Sequence, residues 1–414
     1  MKNQNKQKGI TLVALVITII ILLILAGISI SSLTNQGLFT KAQQAKQESE
    51  NAQREENEIL TDYLEQMEAI TGGVIKFQNV DKTKTNPEAA MPNGATLIEG
   101  DANKGIVIKD SKNNEWVWVE VPMSVTAGKT TDSDIETALK AYAKDYRGSW
   151  TDTYYSGCGM TETEYNTAKS KMLQSIKTNG GFWISRYEAG IKGSDTDTTK
   201  ARTESSSRIT DETISTLPEA VSQVNMIPYN YVYCSEAQAL AKKMSTDTSK
   251  TSSLLFGIQW DLVCKFLQEK GGLSVVEIKG GDDTAGSTNW GNYANSQITN
   301  AKGKYAILDQ DTWKLGNWTP IPSGYIKPNT NTNKDNWVLL STGASDTLKK
   351  MNIYDFAGNE WEWTLEHASS NSELPCASRG GNYINNGSTD PASVRYHYRI
   401  SNSAYDISFR STLY

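Results

Sequence analysis

Apolar residues are distributed very unevenly along this chain. No charge occurs between Lys8 and Lys41, and Ile10 to Ile30 forms an almost unbroken apolar run. At 1.5 Å per residue that run spans about 31 Å, the thickness of a bilayer core. A secretory signal would carry a shorter apolar stretch of about 7–15 residues. The pattern therefore predicts a transmembrane helix over 10–30. The flanking Lys2, Lys6 and Lys8 belong on the inner side and the rest of the chain outside. Residues 31–73 then turn polar. Ile59, Leu60, Tyr63, Leu64, Met67 and Ile70 recur at helical spacing, and Gly72 and Gly73 stop the pattern. This reads as a stalk helix whose outer end docks on the following domain. Apolar a/d positions do not persist long enough for a coiled coil.

From Val74 onward the periodicity shortens. "GIVIKDSKNNEWVWVEVP" alternates on both sides of a polar turn, the mark of two strands, and "GGFWISRYEAG" (Gly180–Gly190) reads as another strand. "SEAQALAKKM" and "IQWDLVCKFLQE" carry helical spacing. Polar stretches such as "GSDTDTTKARTESSSRIT" and "NTNTNKDN" read as surface insertions. The expected organisation is a leader over 1–9, a span over 10–30, a stalk over 31–73 and one large domain over 74–414.

Composition narrows the class. Lys and Arg number 41 against 47 Asp and Glu, a net charge of -6, which argues against nucleic acid as the partner. Hydrophobic content of 38% suits a loop-rich exported domain. Cys158, Cys234, Cys264 and Cys376 form no CxxC pair, so zinc is not expected. Spacing alone leaves three disulfide pairings and buried thiols equally open. His367 and His397 are the only histidines, which limits imidazole chemistry.

The basic leader, Gly9, and then "ITLVALVITIIILLILAGI" resemble the type IV prepilin N-terminus. The resemblance implies cleavage after Gly9 and methylation of Ile10. That family usually has Glu at the fifth mature position, where this chain has Ala14. The departure implies a minor subunit or a simple anchor, with pilin subunits as candidate neighbours, rather than a filament-building pilin.

"MNIYDFAGNEWEWTLE" (Met351–Glu366), "SRGGNY" and "ISFRS" together resemble the formylglycine-generating-enzyme family, with looser similarity back to about Gly105. The resemblance implies an α+β fold of the C-type-lectin-like type with long loops. Trp361 and Trp363 alternate with Glu360 and Glu362, a strand pattern, and each Trp buries about 200 Å². Gly358, Gly380 and Gly381 read as turns or close approaches, and Arg379 and Arg410 as partners of buried carboxylates such as Glu362. The resemblance also implies a structural calcium at Asn359 and Glu362, with a metal-free turn as the alternative. The family's copper-binding cysteine pair is absent after Arg379, and two histidines cannot build an iron site. Catalysis is not expected, and no other cofactor is.

The segment from Arg379 to Tyr414 stands apart. From Asn382 onward there is no Lys, Glu, Gln, Met or Trp. Every codon for those five types ends in a purine. This resembles the variable region of target proteins of diversity-generating retroelements, which randomise adenines in codons ending in a pyrimidine. What fills the segment looks like a paratope, in which Tyr supplies rigid contact area and Ser and Asn adaptable hydrogen bonds. The candidate contact residues are Asn382, Tyr383, Asn385, Asn386, Tyr396, His397, Tyr398, Ser401, Asn402, Ser403, Tyr405 and Asp406, with the four tyrosines expected at the surface. The reading is a single-pass membrane protein, pilus-associated or simply anchored, whose outer domain binds an extracellular macromolecule or glycan. The alternatives are an enzyme of that family with displaced ligands and a pseudopilin of a secretion machine.

Overall fold

The computed structural model describes residues 75–202, 216–281, 284–329 and 335–414. The leader, the 10–30 span and the stalk lie outside them, as do parts of both polar insertions. Among the described residues no helix is long and apolar enough to cross a membrane.

The described chain is mixed α+β. It opens with β1 (Thr96–Glu99), β2 (Val107–Lys109) and β3 (Glu115–Glu120). β2 and β3 pair antiparallel, Val107 opposite Val117. Their turn is closed by Asp110, whose Oδ1 accepts from the Lys112 and Asn114 amides at 2.9 Å, while Asn113 takes a positive φ that Asn tolerates. Two helices that the apolar pattern did not announce follow, α1 (Asp132–Tyr142) and α2 (Glu162–Asn179). β4 (Gly181–Ser185) comes next, then α3 (Cys234–Met244), β5 (Ser252–Leu254) and α4 (Gly257–Glu269). α3 and α4 match the two helical periodicities in the sequence to within a residue.

Further on, β6 (Lys304–Asp309) pairs with β7 (Lys314–Leu315) and with β8 (Val338–Leu340). The WEW motif forms β9 (Trp361–His367), followed by β10 (Cys376–Arg379), β11 (Arg395–Tyr398), β12 (Ile407–Phe409) and β13 (Ser411–Leu413).

Two sheets organise the core. One has six strands in the order β1-β2-β3-β4-β13-β5. The other has four, β11-β10-β9-β12, with β12 parallel to β9 and β11 at the edge. Tryptophans fill the space around them, and four fully buried indole N–H groups find acceptors, as buried Trp requires. Trp116 donates to Asp110 Oδ2 at 2.9 Å, Trp183 to the Ala90 carbonyl at 3.0 Å, Trp260 to Ala392 at 2.9 Å and Trp363 to Val232 at 2.9 Å.

A single residue, Arg410, joins the two sheets. It is fully buried between β12 and β13. Its guanidinium meets Glu362 of β9 at 2.8 Å and the Ser185 carbonyl of β4 at 2.9 Å. A planar fork of five donors suits such a junction, because it satisfies a carboxylate and main-chain carbonyls at once.

Candidate ligand-binding face

The segment from Asn382 to Asp406 leaves the four-stranded sheet after β10, re-enters it as the edge strand β11 and leads on to β12. Its start is a fixed frame. Gly381 has φ +74°, and a Cβ there would lie 2.3 Å from the Asp390 carbonyl, so only glycine fits. Asn382 is buried and builds the next turn, its Oδ1 accepting from the Ile384 and Asn385 amides at 3.1 and 3.0 Å. Its Nδ2 donates to Asp406 Oδ2 at 2.6 Å, tying the two ends of the segment together. Tyr383 is fully buried, and its hydroxyl reaches the Tyr405 carbonyl at 3.5 Å. The expectation of four surface tyrosines is corrected here, because Tyr383 belongs to the core. Ser403 and Asp406 are buried as well.

The edge strand β11 divides its side chains by the period of two. Arg395 turns inward to an ionic network. Its Nη2 and Nε meet Asp261 and Glu366 at 2.7 and 2.9 Å, and Arg379 meets the same two acids at 2.8 and 3.1 Å. Arg147 adds a third guanidinium, 2.5 Å from Asp261. Burial would raise the Glu366 carboxyl, but Arg395, Arg379 and Arg147 outweigh it and hold it below the ordinary value. His397 shares that side of the strand and stacks on Trp150 at 5.7 Å.

Tyr396 and Tyr398 occupy the opposite side. Their rings lie 5.1 Å apart, with Trp361 5.8 Å from Tyr396 and Trp363 5.4 Å from Tyr398. Tyr396 is 50% exposed and Tyr398 half-buried. Tyr405 is also half-buried, its ring 6.0 Å from that of Trp313. Asn386 and Ser401 are exposed, and Asn385 and Asn402 partly so. Two of these amides shape turns. Asn386 Oδ1 accepts from the Ser388 amide at 2.9 Å, and Asn402 Oδ1 from the Arg399 amide at 2.8 Å. The candidate residues therefore form an exposed set, Asn386, Tyr396 and Ser401, a partly covered set, and a buried frame of Asn382, Tyr383, Ser403 and Asp406.

The calcium expectation also changes. Asn359 Oδ1 accepts from Asn292 Nδ2 at 2.7 Å and from the Leu340 amide at 3.2 Å, while its Nδ2 donates to Glu188 and to the Leu340 carbonyl. Both oxygens of Glu362 are taken by Arg410, at 2.8 and 3.0 Å. Protein groups occupy the donors that the ion would need. Among the described residues no group of three or more His, Cys, Asp or Glu is placed to hold a metal.

Other carboxyls nearby lack full partners. Glu360 has neither oxygen in a formed hydrogen bond, and Glu188 Oε2 and Asp355 Oδ1 are likewise unmet. Burial first, then neighbouring carboxylates, pushes Glu188 and Glu360 well above the usual range. Burial alone brings Asp406 to about 7. Carboxyls raised in this way are biased toward the neutral form, which lessens the cost of burying an acidic cluster with few cations. All four cysteines are buried free thiols, and contact with Cys376 together with burial drives the Cys234 thiol up.

Two neighbours of the segment have no counterpart in the sequence reading: Trp150, which stacks on His397 on the inward side of β11, and Trp313, beside Tyr405. One signal for Trp313 was there, since a large aromatic within the polar turn "DQDTWK" has no core to serve.

No protein-family model matches the chain, and no curated protein matches it. Among solved structures it is similar to variable protein 1 of Treponema denticola, at 13% identity and a TM-score of 0.23, covering 78% of this chain and 92% of that one. A likeness this distant says nothing about function.

Proposed function

We propose that the chain is a membrane-anchored surface protein whose outer domain, a C-type-lectin-like fold of the formylglycine-generating-enzyme subtype, binds an extracellular macromolecule through its closing segment. The observation that carries this reading is the division of labour along β11. Arg395 is locked into an ionic network, while Tyr396 and Tyr398 face outward beside Trp361. An anchored strand presenting tyrosines fits contact better than packing, since rigid aromatic side chains lose little entropy on binding. The absence of the five residue types whose codons end in a purine fits a diversified display, and the prepilin-type leader fits an exported one.

The test uses the full chain in detergent micelles, with binders selected from a random peptide phage library and from a glycan array. Replacing Tyr396 and Tyr398 with Ala should weaken the selected binders tenfold or more, about 2 kcal/mol per aromatic hot spot. Binding that survives both changes would remove the contact role of the segment. Independently, N-terminal sequencing of the protein from its native host should start at Ile10. An intact Met1 would exclude prepilin processing.

A further inference from the structure

We infer that the contact face extends beyond the closing segment onto a fixed arm, the hairpin between β6 and β7, with Trp313 as a ligand-contacting anchor for a protein partner. The inference rests on the contact reading above and names a residue and a partner class that it lacks.

Trp313 is 49% exposed and has φ +57°. A bulky side chain is rarely found in that left-handed region, because its Cβ crowds the backbone. Such a conformation persists where the surroundings over-determine it. Here Asp309 does so. Its Oδ1 accepts from the Asp311 and Thr312 amides at 2.8 and 3.1 Å, and its carbonyl accepts from the Trp313 amide at 2.8 Å. Leu308 opposite Leu315 and Asp309 opposite Lys314 close the hairpin below. Asn or Gly would take the same backbone with little strain. The turn therefore carries a costly Trp where a cheaper residue would fold as well, and half of that ring faces solvent.

The ring is also placed to cooperate. It packs against Trp337 at 5.4 Å and Tyr405 at 6.0 Å, so Tyr405 links the arm to the closing segment. Trp313 lies outside the stretch that lacks the five residue types, so it would stay constant while its neighbour Tyr405 varied.

The shape favours a protein surface over a sugar. The rings do not form a flat stacking platform. Trp313 and Tyr405 are inclined by 33°, Trp361 and Tyr396 by 37°, and Tyr396 and Tyr398 by 57°. Tilted aromatic edges suit the apolar pockets of a partner protein.

The experiment compares Trp313→Asn, Tyr405→Ala and the double variant in the full chain, using peptides selected on the unaltered protein and a glycan array as the two probes. Trp313→Asn should weaken the peptides at least tenfold with the melting temperature shifted by less than about 5 °C. The double variant should lose less than the product of the two single losses, because the rings act together. Unchanged peptide binding by Trp313→Asn, while Tyr396→Ala abolishes it, would overturn the arm and leave the closing segment standing. If Tyr396→Ala is also silent, the contact reading falls with it. Lost binding with a larger melting shift would make the ring structural, and binders found on the glycan array alone would overturn the protein partner.

Discussion

Asp406 is buried at the end of the closing segment, tied to Asn382, and burial brings its carboxyl to about 7. Asp355 is raised to about 7 by burial, with Glu362 adding to the rise. An unfolded Asp releases its proton near 4. Between those values the folded chain holds protons that the unfolded chain has lost, so stability falls as pH rises from about 4 to 7. The domain should therefore melt at a higher temperature at pH 5.5 than at pH 7.5, and Asp406→Asn should flatten that difference. A melting curve insensitive to pH over this window would show that Asp406 is ionised when folded. Tyr383 and Tyr396 give a second contrast. Tyr383→Ala removes a fully buried ring and should cost about 3–5 kcal/mol. Tyr396→Ala, at an exposed position, should stay within about 0.5 kcal/mol, and thermal unfolding of both variants checks it. Composition showed that the segment was unusual but could not separate these two tyrosines. The difference lies in where each sits: Tyr383 is held in the turn built by Gly381 and Asn382 and packs into the core, whereas Tyr396 stands on the outer side of the edge strand β11.

Elements were legible to different degrees. The alternation in "EWVWVE" and the helical spacing in "IQWDLVCKFLQE" are strong local signals, and both form where expected. α2 is apolar on too narrow a stripe to stand out, yet its start is written in the sequence. Thr161 and Glu164 form a capping box, and Gly180 ends the helix at φ +68°. The ionic network beneath β11 was not legible. The sequence reading gave Arg379 and Arg410 buried carboxylates such as Glu362 as partners, without telling which arginine takes which acid. Arg410 takes Glu362, whereas Arg379 takes Asp261 of α4 and Glu366 of β9. Asp261 lies 118 positions away from Arg379, and only the packing of α4 against the sheet brings it there. Arg379→Ala leaves two buried acids short of a partner and should cost about 3 kcal/mol, the low end for a broken buried pair, because Arg147 and Arg395 remain. Chemical denaturation should show this loss. A cost under about 1 kcal/mol would mean that the network relaxes onto the other two guanidiniums.

At the scale of the whole molecule, the sequence outlined a chain of leader, span, stalk and domain, and the described residues belong to the last of these. Within it, topology was the hidden quantity. β13 pairs with β4 on one side and β5 on the other, so three residues after Arg410 complete the six-stranded sheet from within. Deleting Ser411–Tyr414 should abolish cooperative unfolding and make the domain sensitive to limited proteolysis, whereas an edge-strand deletion would be tolerated far better. A truncated chain that still melts cooperatively would show that the sheet closes without β13. The position of β13 also makes the fold sensitive to the reading frame. Residues 382–406 are read by the ribosome before β12, Arg410 and β13. A frameshift or stop codon within that stretch destroys everything downstream of it. Such a product lacks an interior strand of its main sheet and should be open to proteolysis, while a simple amino-acid exchange leaves the strand intact. The fold thus works as a check on reading frame, and only messages translated correctly through residues 382–406 yield a complete domain.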